Sequence, residues 1–275
     1  MSYSEAELKD HVRSIFDRVS PNYDNPEMRY FAFSADYMMG LAKPKSGERV
    51  LDIATGTAMV AIAAAQYLQP EGRVQAIDIS EGMLGKAKQN IDKHALNNID
   101  IHKMDAEQLE FRANYFDLIT CGFGLFFLAD AQQAVKQWHR VLKPGGRLVI
   151  STFNQSAFMP MVKWFRALIE ETGVEFPASS WQQFSDSESC LELFPVDLFE
   201  EQNITTKQHG IHLKDANEWW NIIINSGLRS YLELLDPDQQ AKLRIKHNQQ
   251  VDKLTTEDGI WLDVDVIYTQ AIKRA

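Results

Sequence analysis

Three acids placed against small-residue turns carry the first chemical signal in this chain. Val50-Leu51-Asp52-Ile53 is an apolar run holding one carboxylate, and it enters the turn Ala54-Thr55-Gly56-Thr57-Ala58. A second apolar run ends on Asp78, a third leads to Asp105-Ala106-Glu107, and a fourth enters Gly122-Phe123-Gly124. A buried strand running into such a turn lets backbone N–H groups approach a ligand at a helix N-terminus. A carboxylate roughly 20 residues further on accepts hydrogen bonds from ribose hydroxyls. The spacing points to a bound adenosine. It fits a dinucleotide poorly, because Ala54, Gly56 and Met59 occupy the three positions where that loop wants glycine.

The elements that must position these residues alternate. A helix opens near Ser4, where Ser4-Glu5-Ala6-Glu7 supplies N-terminal acceptors, and it carries Leu8, Val12, Ile15, Phe16 and Val19 at helical spacing. An aromatic-dense stretch follows, with Tyr23, Tyr30, Phe31, Phe33 and Tyr37. Strands are expected at 48–54, 73–79, 99–104, 116–122 and 147–153, with helices at 60–67, 81–94 and 131–142. Nearly continuous apolar strands separated by helices of this length indicate a parallel sheet covered on both faces. Beyond Phe153 the spacing predicts a helix near 156–171, a Ser-, Pro- and Trp-containing loop, and strands at 203–213 and 260–271. Between those strands lies a helical insert with Trp219-Trp220, Arg229 and a polar helix at 237–254. The last strand alternates in its first half, which predicts one less buried face and an antiparallel place in the sheet.

Composition narrows the partners. A net charge of −10 argues against a duplex nucleic-acid binder, which needs a basic face. Cys121 and Cys190 stand far apart with no metal-ligand spacing nearby, so no metal site or disulfide framework is expected, and a reducing compartment fits. No apolar run approaches the ~20 residues that span a bilayer, and the start of the chain is polar and acidic; a cytoplasmic protein is expected.

Further segments fall in register with the opening turn. They are Phe16-Asp17, Tyr23-Asp24, Asp78-Ile79-Ser80-Glu81-Gly82-Met83-Leu84, Phe116-Asp117-Leu118-Ile119 and His139-Arg140-Val141-Leu142-Lys143-Pro144-Gly145-Gly146-Arg147-Leu148. Over about residues 12–153 the set resembles the class I S-adenosylmethionine-dependent methyltransferases, nearest the ubiquinone/menaquinone-biosynthesis branch. That resemblance implies an α/β, Rossmann-like, doubly wound and mostly parallel seven-stranded sheet with an antiparallel last strand. It also implies an N-terminal helical lid and a helical insert before the last strand. A single domain over 1–275 is expected, with the lid at 1–46, the cofactor-binding core at 47–153, and substrate-side helices and last strands at 154–275.

The resemblance implies S-adenosyl-L-methionine as cofactor and S-adenosyl-L-homocysteine as product. It carries cofactor contacts onto Tyr23, Asp52, Ala54, Thr55, Gly56, Thr57, Asp78, Ile79, Met83, Asp105, Ala106, Gly122 and Phe123. Two readings stand for Asp52: a cap of the following helix, or a carboxylate attracting the cofactor's ammonium through water. Asp78 is expected at the ribose, and Asp105 at the adenine amine, or else as a helix cap. Met83 serves either the core or the adenine face, and Phe16 either the core or the lid. Lys143-Pro144-Gly145-Gly146 is structural, with Pro144 ending a helix and the glycines turning the chain. Ala58 stands where the family motif has its third glycine, and its methyl is expected to crowd the turn.

The acceptor is expected to be a small aromatic or apolar molecule, because aromatics are dense in the N-terminal segment, at Phe123 to Phe127 and in the insert. Candidate substrate contacts are Tyr30, Phe127, Trp219, Trp220 and Arg229; the alternatives are an anchoring role for the tryptophans and a surface ion pair for the arginine. A phenol or activated ring carbon also needs a base, for which His11, Tyr23, Asp24, His209 and His212 are candidates with no basis for choosing. Methylation of carbon or oxygen on a quinol-like acceptor leads, with a small amine second. A binding protein without turnover is the rival of another class. The oligomeric state stays open, a homodimer included.

Overall fold

The structure is a computed structural model and describes residues 4–174 and 180–275; part of the Ser-, Pro- and Trp-containing loop lies outside them. Helix α1 (Glu5–Val19) starts where Ser4 and Glu7 form a reciprocal capping box. Two short 3-10 turns, Ser20–Asn22 and Pro26–Met28, lead into α2 (Tyr30–Ala42). Then follow β1 (Arg49–Ile53), α3 (Met59–Leu68), β2 (Arg73–Asp78), α4 (Glu81–Lys93), β3 (Ile99–Lys103), β4 (Phe116–Gly122), α5 (Ala131–Val141) and β5 (Leu142–Phe153). The second half holds α6 (Met161–Glu170), α7 (Ser187–Glu192), β6 (Phe199–Gln208), β7 (Ile211–Leu213), α8 (Ala216–Ile224), α9 (Arg229–Leu232), α10 (Pro237–Val251), β8 (Ile260–Leu262) and β9 (Asp265–Lys273).

Seven strands form one sheet in the order β3-β2-β1-β4-β5-β9-β6. β1 to β5 are mutually parallel, and β9 runs antiparallel to both β5 and β6. The direction of growth reverses between β1 and β4. With right-handed crossovers, helices before and after that reversal fall on opposite faces, and a crevice opens at the strand ends between β1 and β4.

Three local details differ from the sequence reading. β5 begins at Leu142, five residues early: Leu142 pairs with Phe116 and Arg147 with Leu118, so the glycine turn is a bulge inside the strand with Gly145 at φ 73°. The expected strand 203–213 breaks after Gln208, and β7 leaves to pair with β8 in a separate two-stranded sheet. The run 260–271 divides in the same way. Its alternation belongs to β8, where Trp261 is 45% exposed between buried Ile260 and Leu262. β9 instead lies inside the large sheet and is buried on both faces.

The insert between the two parts of the sheet is pinned by its own core. The Trp219 indole N–H donates to His247 Nε2 at 2.8 Å, and both residues are fully buried. Phe158 and Phe165 flank that pair at ring distances of 6.1 and 5.6 Å.

Candidate functional site

The crevice between β1 and β4 is built from backbone held in the left-handed region. Ala54, Gly56, Ala58 and Phe123 have φ of 51°, 54°, 70° and 56°. A side chain at such an angle costs on the order of 1–2 kcal/mol, and the crevice accepts the cost at three non-glycine positions, Ala54, Ala58 and Phe123. Ala58 caps the start of α3, is fully buried and borders none of the cavities described here, so its methyl does not crowd them. Its cost is in the backbone. Asp52 bears on the first turn of α3, where the Ala61 backbone N–H helps stabilise its charge. Its buried carboxylate accepts from the Thr55 and Thr120 hydroxyls at 2.6 and 2.7 Å, tying the turn to β4. Burial raises its pKa to about 6.

A first cavity of about 100 Å³ lies over this turn. Asp78 borders it and accepts from the backbone N–H groups of Gly56 and Ser80 at 2.8 and 2.9 Å, while burial raises its pKa to about 6. Ile79, Met83 and Ala106 line the wall, Met83 while also buried in the core. At the far end Lys9 of α1 ion-pairs with Asp105 at 2.9 Å and with Glu107 at 3.0 Å. Helix α1 is fixed at its other end by Asp17, which accepts from the Ser80 hydroxyl and the Gly82 backbone N–H at 2.7 and 2.9 Å. A smaller recess beside this cavity takes Asp52, Thr55 and Thr57. Gly122 and Tyr23 border both spaces.

A second, larger cavity of about 250 Å³ adjoins the first, sharing Val12, Phe16, Tyr23, Phe123 and Phe127. Among the described residues its wall has no Asp, Glu, Lys or Arg, and the polar side chains there are His11, two serines and three tyrosines. Phe123 stacks on Phe153 at 4.4 Å and meets Phe31 edge-on at 5.1 Å, forming an aromatic floor. Burial, with Asp78 and Asp24 nearby, holds the Tyr23 phenol well above the usual range, so it remains a hydrogen-bond donor at neutral pH.

The structure thus brings together Tyr23, Ala54, Gly56, Asp78, Ile79, Met83, Asp105, Ala106, Gly122 and Phe123, with Tyr30 and Phe127 on the aromatic side. Trp219 and Trp220 line neither cavity. Trp219 is taken up by His247, and Trp220 packs beneath the Arg244 guanidinium at 5.7 Å, so both anchor the insert. Arg229 is likewise absent from both walls and pairs with Glu233 at 2.9 Å; Glu233 also receives Arg18 from the lid at 2.6 Å. Among the candidate bases, Asp24 is held by Thr57 and Asn90 at 2.6 and 2.7 Å. His209 is bonded to Tyr268 at 2.7 Å, and His212 meets Trp261 edge-on at 5.0 Å in the small sheet. Only His11 and Tyr23 of the five border the aromatic cavity.

The sequence reading missed Lys9, Glu107, Phe153 and the segment Ser226–Tyr231. For Lys9 a signal existed, since Lys9, Val12 and Phe16 are spaced three and four apart and so share one helix face. Nothing local marks the others.

The model of the ubiE/COQ5 methyltransferase family matches residues 4–195. A demethylmenaquinone methyltransferase of Geobacillus kaustophilus (strain HTA426) is 32% identical over 196 residues, which cover 68% of this chain and 83% of that one. The aklanonic acid methyltransferase of Streptomyces sp. (strain C5) is 31% identical over 180 residues, 65% of this chain and 82% of that one. Among solved structures, the YcgJ protein of Bacillus subtilis covers 88% of this chain and 99% of its own with a TM-score of 0.61; at 21% identity the likeness is one of fold.

Proposed function

The chain belongs to the ubiE/COQ5 methyltransferase family, and from that premise we propose that it methylates a carbon or phenolic oxygen of an uncharged, quinol-like aromatic molecule, using S-adenosyl-L-methionine. The observation that carries this reading is the junction of two unlike cavities, one bordered by carboxylates and one by aromatic rings, across a shared wall of five residues.

The residues present fit the cofactor. Gly56 borders the first cavity, and no protein atom stands within 4 Å of where its Cβ would project, so ligand can approach the bare backbone. Asp78 faces the same space with a carboxylate suited to ribose hydroxyls. Asp105 is assigned to the adenine amine, with Ala106 beside it, and the Asp52–Thr55 corner to the amino-acid end. When bound, the cofactor supplies an activated methyl group on a sulfonium.

The protein's share of the chemistry is geometry. Holding an acceptor atom in line with the methyl group across the shared wall accounts for about 7–11 kcal/mol in well-oriented reactions. The faces of Tyr23 and Phe16 attract the sulfonium, worth about 0.5–2 kcal/mol in such contacts. His11, on the acceptor wall, is assigned the proton released by the acceptor. We assign residues 1–46 as a lid, 47–153 as the cofactor-binding core and 154–275 as the acceptor side of one domain.

The relatives' names speak of a quinone and of an acid. Among the described residues the acceptor wall has no lysine or arginine to meet a carboxylate and no carboxylate to meet an amine, which favours the uncharged, quinol-like class. The test is S-adenosylhomocysteine formation with a panel of hydroquinones, aromatic acids and small amines, beside calorimetry with S-adenosylhomocysteine and NAD. Turnover of hydroquinones is expected. Binding of NAD in place of S-adenosylhomocysteine overturns the cofactor assignment, and tight cofactor binding with no turnover of any acceptor favours a binding protein.

A further inference from the structure

Phe127 is the point at which the lid, the core and the insert meet. It ends a 3-10 turn, Leu125–Phe127, that follows β4, and its ring borders both cavities. The Phe16 ring from α1 is nearly perpendicular to it with centroids 4.9 Å apart, and the Phe126 centroid lies at 4.7 Å. Also beside the ring is the backbone of Gly227, which borders the aromatic cavity alone. A Cβ at Gly227 would lie 3.0 Å from Cζ and 3.2 Å from Cε1 of the Phe127 ring.

Gly227 does not have a left-handed φ, so its backbone would accept any residue. The need for glycine here is a need for space. The Phe16 and Phe126 rings already crowd Phe127, with centroids 4.9 and 4.7 Å away, so a side chain at Gly227 has to shift a ring that borders both cavities. Gly227 also lies outside residues 4–195, the part that matches the family.

We infer that Gly227 is a specificity-determining residue: by leaving room for the Phe127 ring it sets the width of the passage between the cavities, and so the bulk of aromatic acceptor that can reach the methyl group. This rests on the methyl-transfer reading for its meaning but not for its test. One methyl group against a fitted apolar pocket changes discrimination by about tenfold or more, which sets the scale expected.

The test uses the full chain and an uncharged fluorescent arene, N-phenyl-1-naphthylamine, so that no turnover is required. Gly227→Ala is expected to weaken its binding by about tenfold while S-adenosylhomocysteine affinity, read by calorimetry, stays near the wild-type value. Adding Phe127→Leu, which removes the two ring atoms in conflict, is expected to restore probe binding, a coupling that general destabilisation of the insert does not produce. Phe127→Leu alone is expected to improve binding of a bulkier arene, 9-methylanthracene, relative to the naphthylamine, and this arm stands if Gly227→Ala does not fold. Wild-type-like probe binding by Gly227→Ala, failure of the double variant to recover, or absence of probe binding to the wild-type protein overturns the proposal. Loss of S-adenosylhomocysteine binding in the wild-type protein would instead strike the methyl-transfer reading.

Discussion

The two cavities are made in opposite ways. The carboxylate-bordered one is assembled from strand ends and the turns directly after them, so short contiguous segments carry it: Ala54–Gly56 after β1, Asp78–Ile79 after β2, Asp105–Ala106 after β3 and Gly122–Phe123 after β4. The aromatic one gathers side chains from more distant elements: one face of α1, the start of α2, the turn after β4, the end of β5, the start of α6, α8 and the segment after it. A polar site that reads one fixed ligand needs backbone N–H groups and carboxylates at set positions, and strand ends supply both. An apolar site needs only shape, which any element that reaches it can provide. Most of both walls lies within residues 4–195, which match the family, and only the stretch from Ile222 to Tyr231 on the aromatic side lies beyond them.

If the halves divide the labour in this way, variants should separate them. The largest effect is expected from His11→Gln on the acceptor wall, with kcat lowered by about 100-fold or more where a general base is lost and S-adenosylhomocysteine affinity unchanged; a normal kcat would remove His11 from the chemistry. Asp78→Ala should act on the other side only, weakening S-adenosylhomocysteine by about 1.5–3 kcal/mol. Unchanged calorimetry in that variant would take Asp78 out of the site.

Acid should divide the halves again. The burial of Asp78 raises its pKa to about 6, and the ligand's hydroxyl donors need the ionised form. Affinity for S-adenosylhomocysteine is therefore expected to hold above about pH 6 and to fall by up to about tenfold per unit below it, an effect that Asp78→Asn reduces, the remainder being due to Asp52, which burial also raises to about 6. On the insert, burial lowers His247 from 6.5 to about 4. The folded chain prefers it neutral, so its contribution to stability is complete above pH 6.5 and is lost as pH falls towards 4. The slope is at most about 1.4 kcal/mol per unit, and His247→Phe should flatten it in denaturant titrations. The smallest effect is expected at Ala58→Gly, which relieves the left-handed backbone and should raise stability by about 1 kcal/mol or less. A loss of stability would show that the buried methyl packs better than the backbone suffers.

The order of elements in the parallel half was legible because its inner strands are buried on both faces and every strand, the half-exposed edge strand β3 included, is bounded by turns. Phe116–Gly122 ends where its apolar run ends, since Gly122 meets the crevice. The strands at 203–213 and 260–271 were each read as one because β-periodicity does not report a change of partner. Gln208 and Asp265 pair as the last rungs of the large sheet, and the chain then turns away into β7 and β8. The tryptophan pair misled for a related reason. Trp219 and Trp220 are large aromatics next to the cavity in sequence, yet burial and the His247 contact spend them on the insert's own core.

By itself, then, the sequence determined the parallel sheet, the crevice at its reversal and the carboxylates around that crevice. Those depend on local pattern and on turns that follow strands directly. Only the tertiary structure decided which residues face the acceptor. Lys9 meets Asp105 across 96 positions of chain, and Gly227 meets Phe127 across 100. Contacts between residues so far apart follow from how α1 and the insert pack over the sheet, and no local pattern of residues encodes that distance.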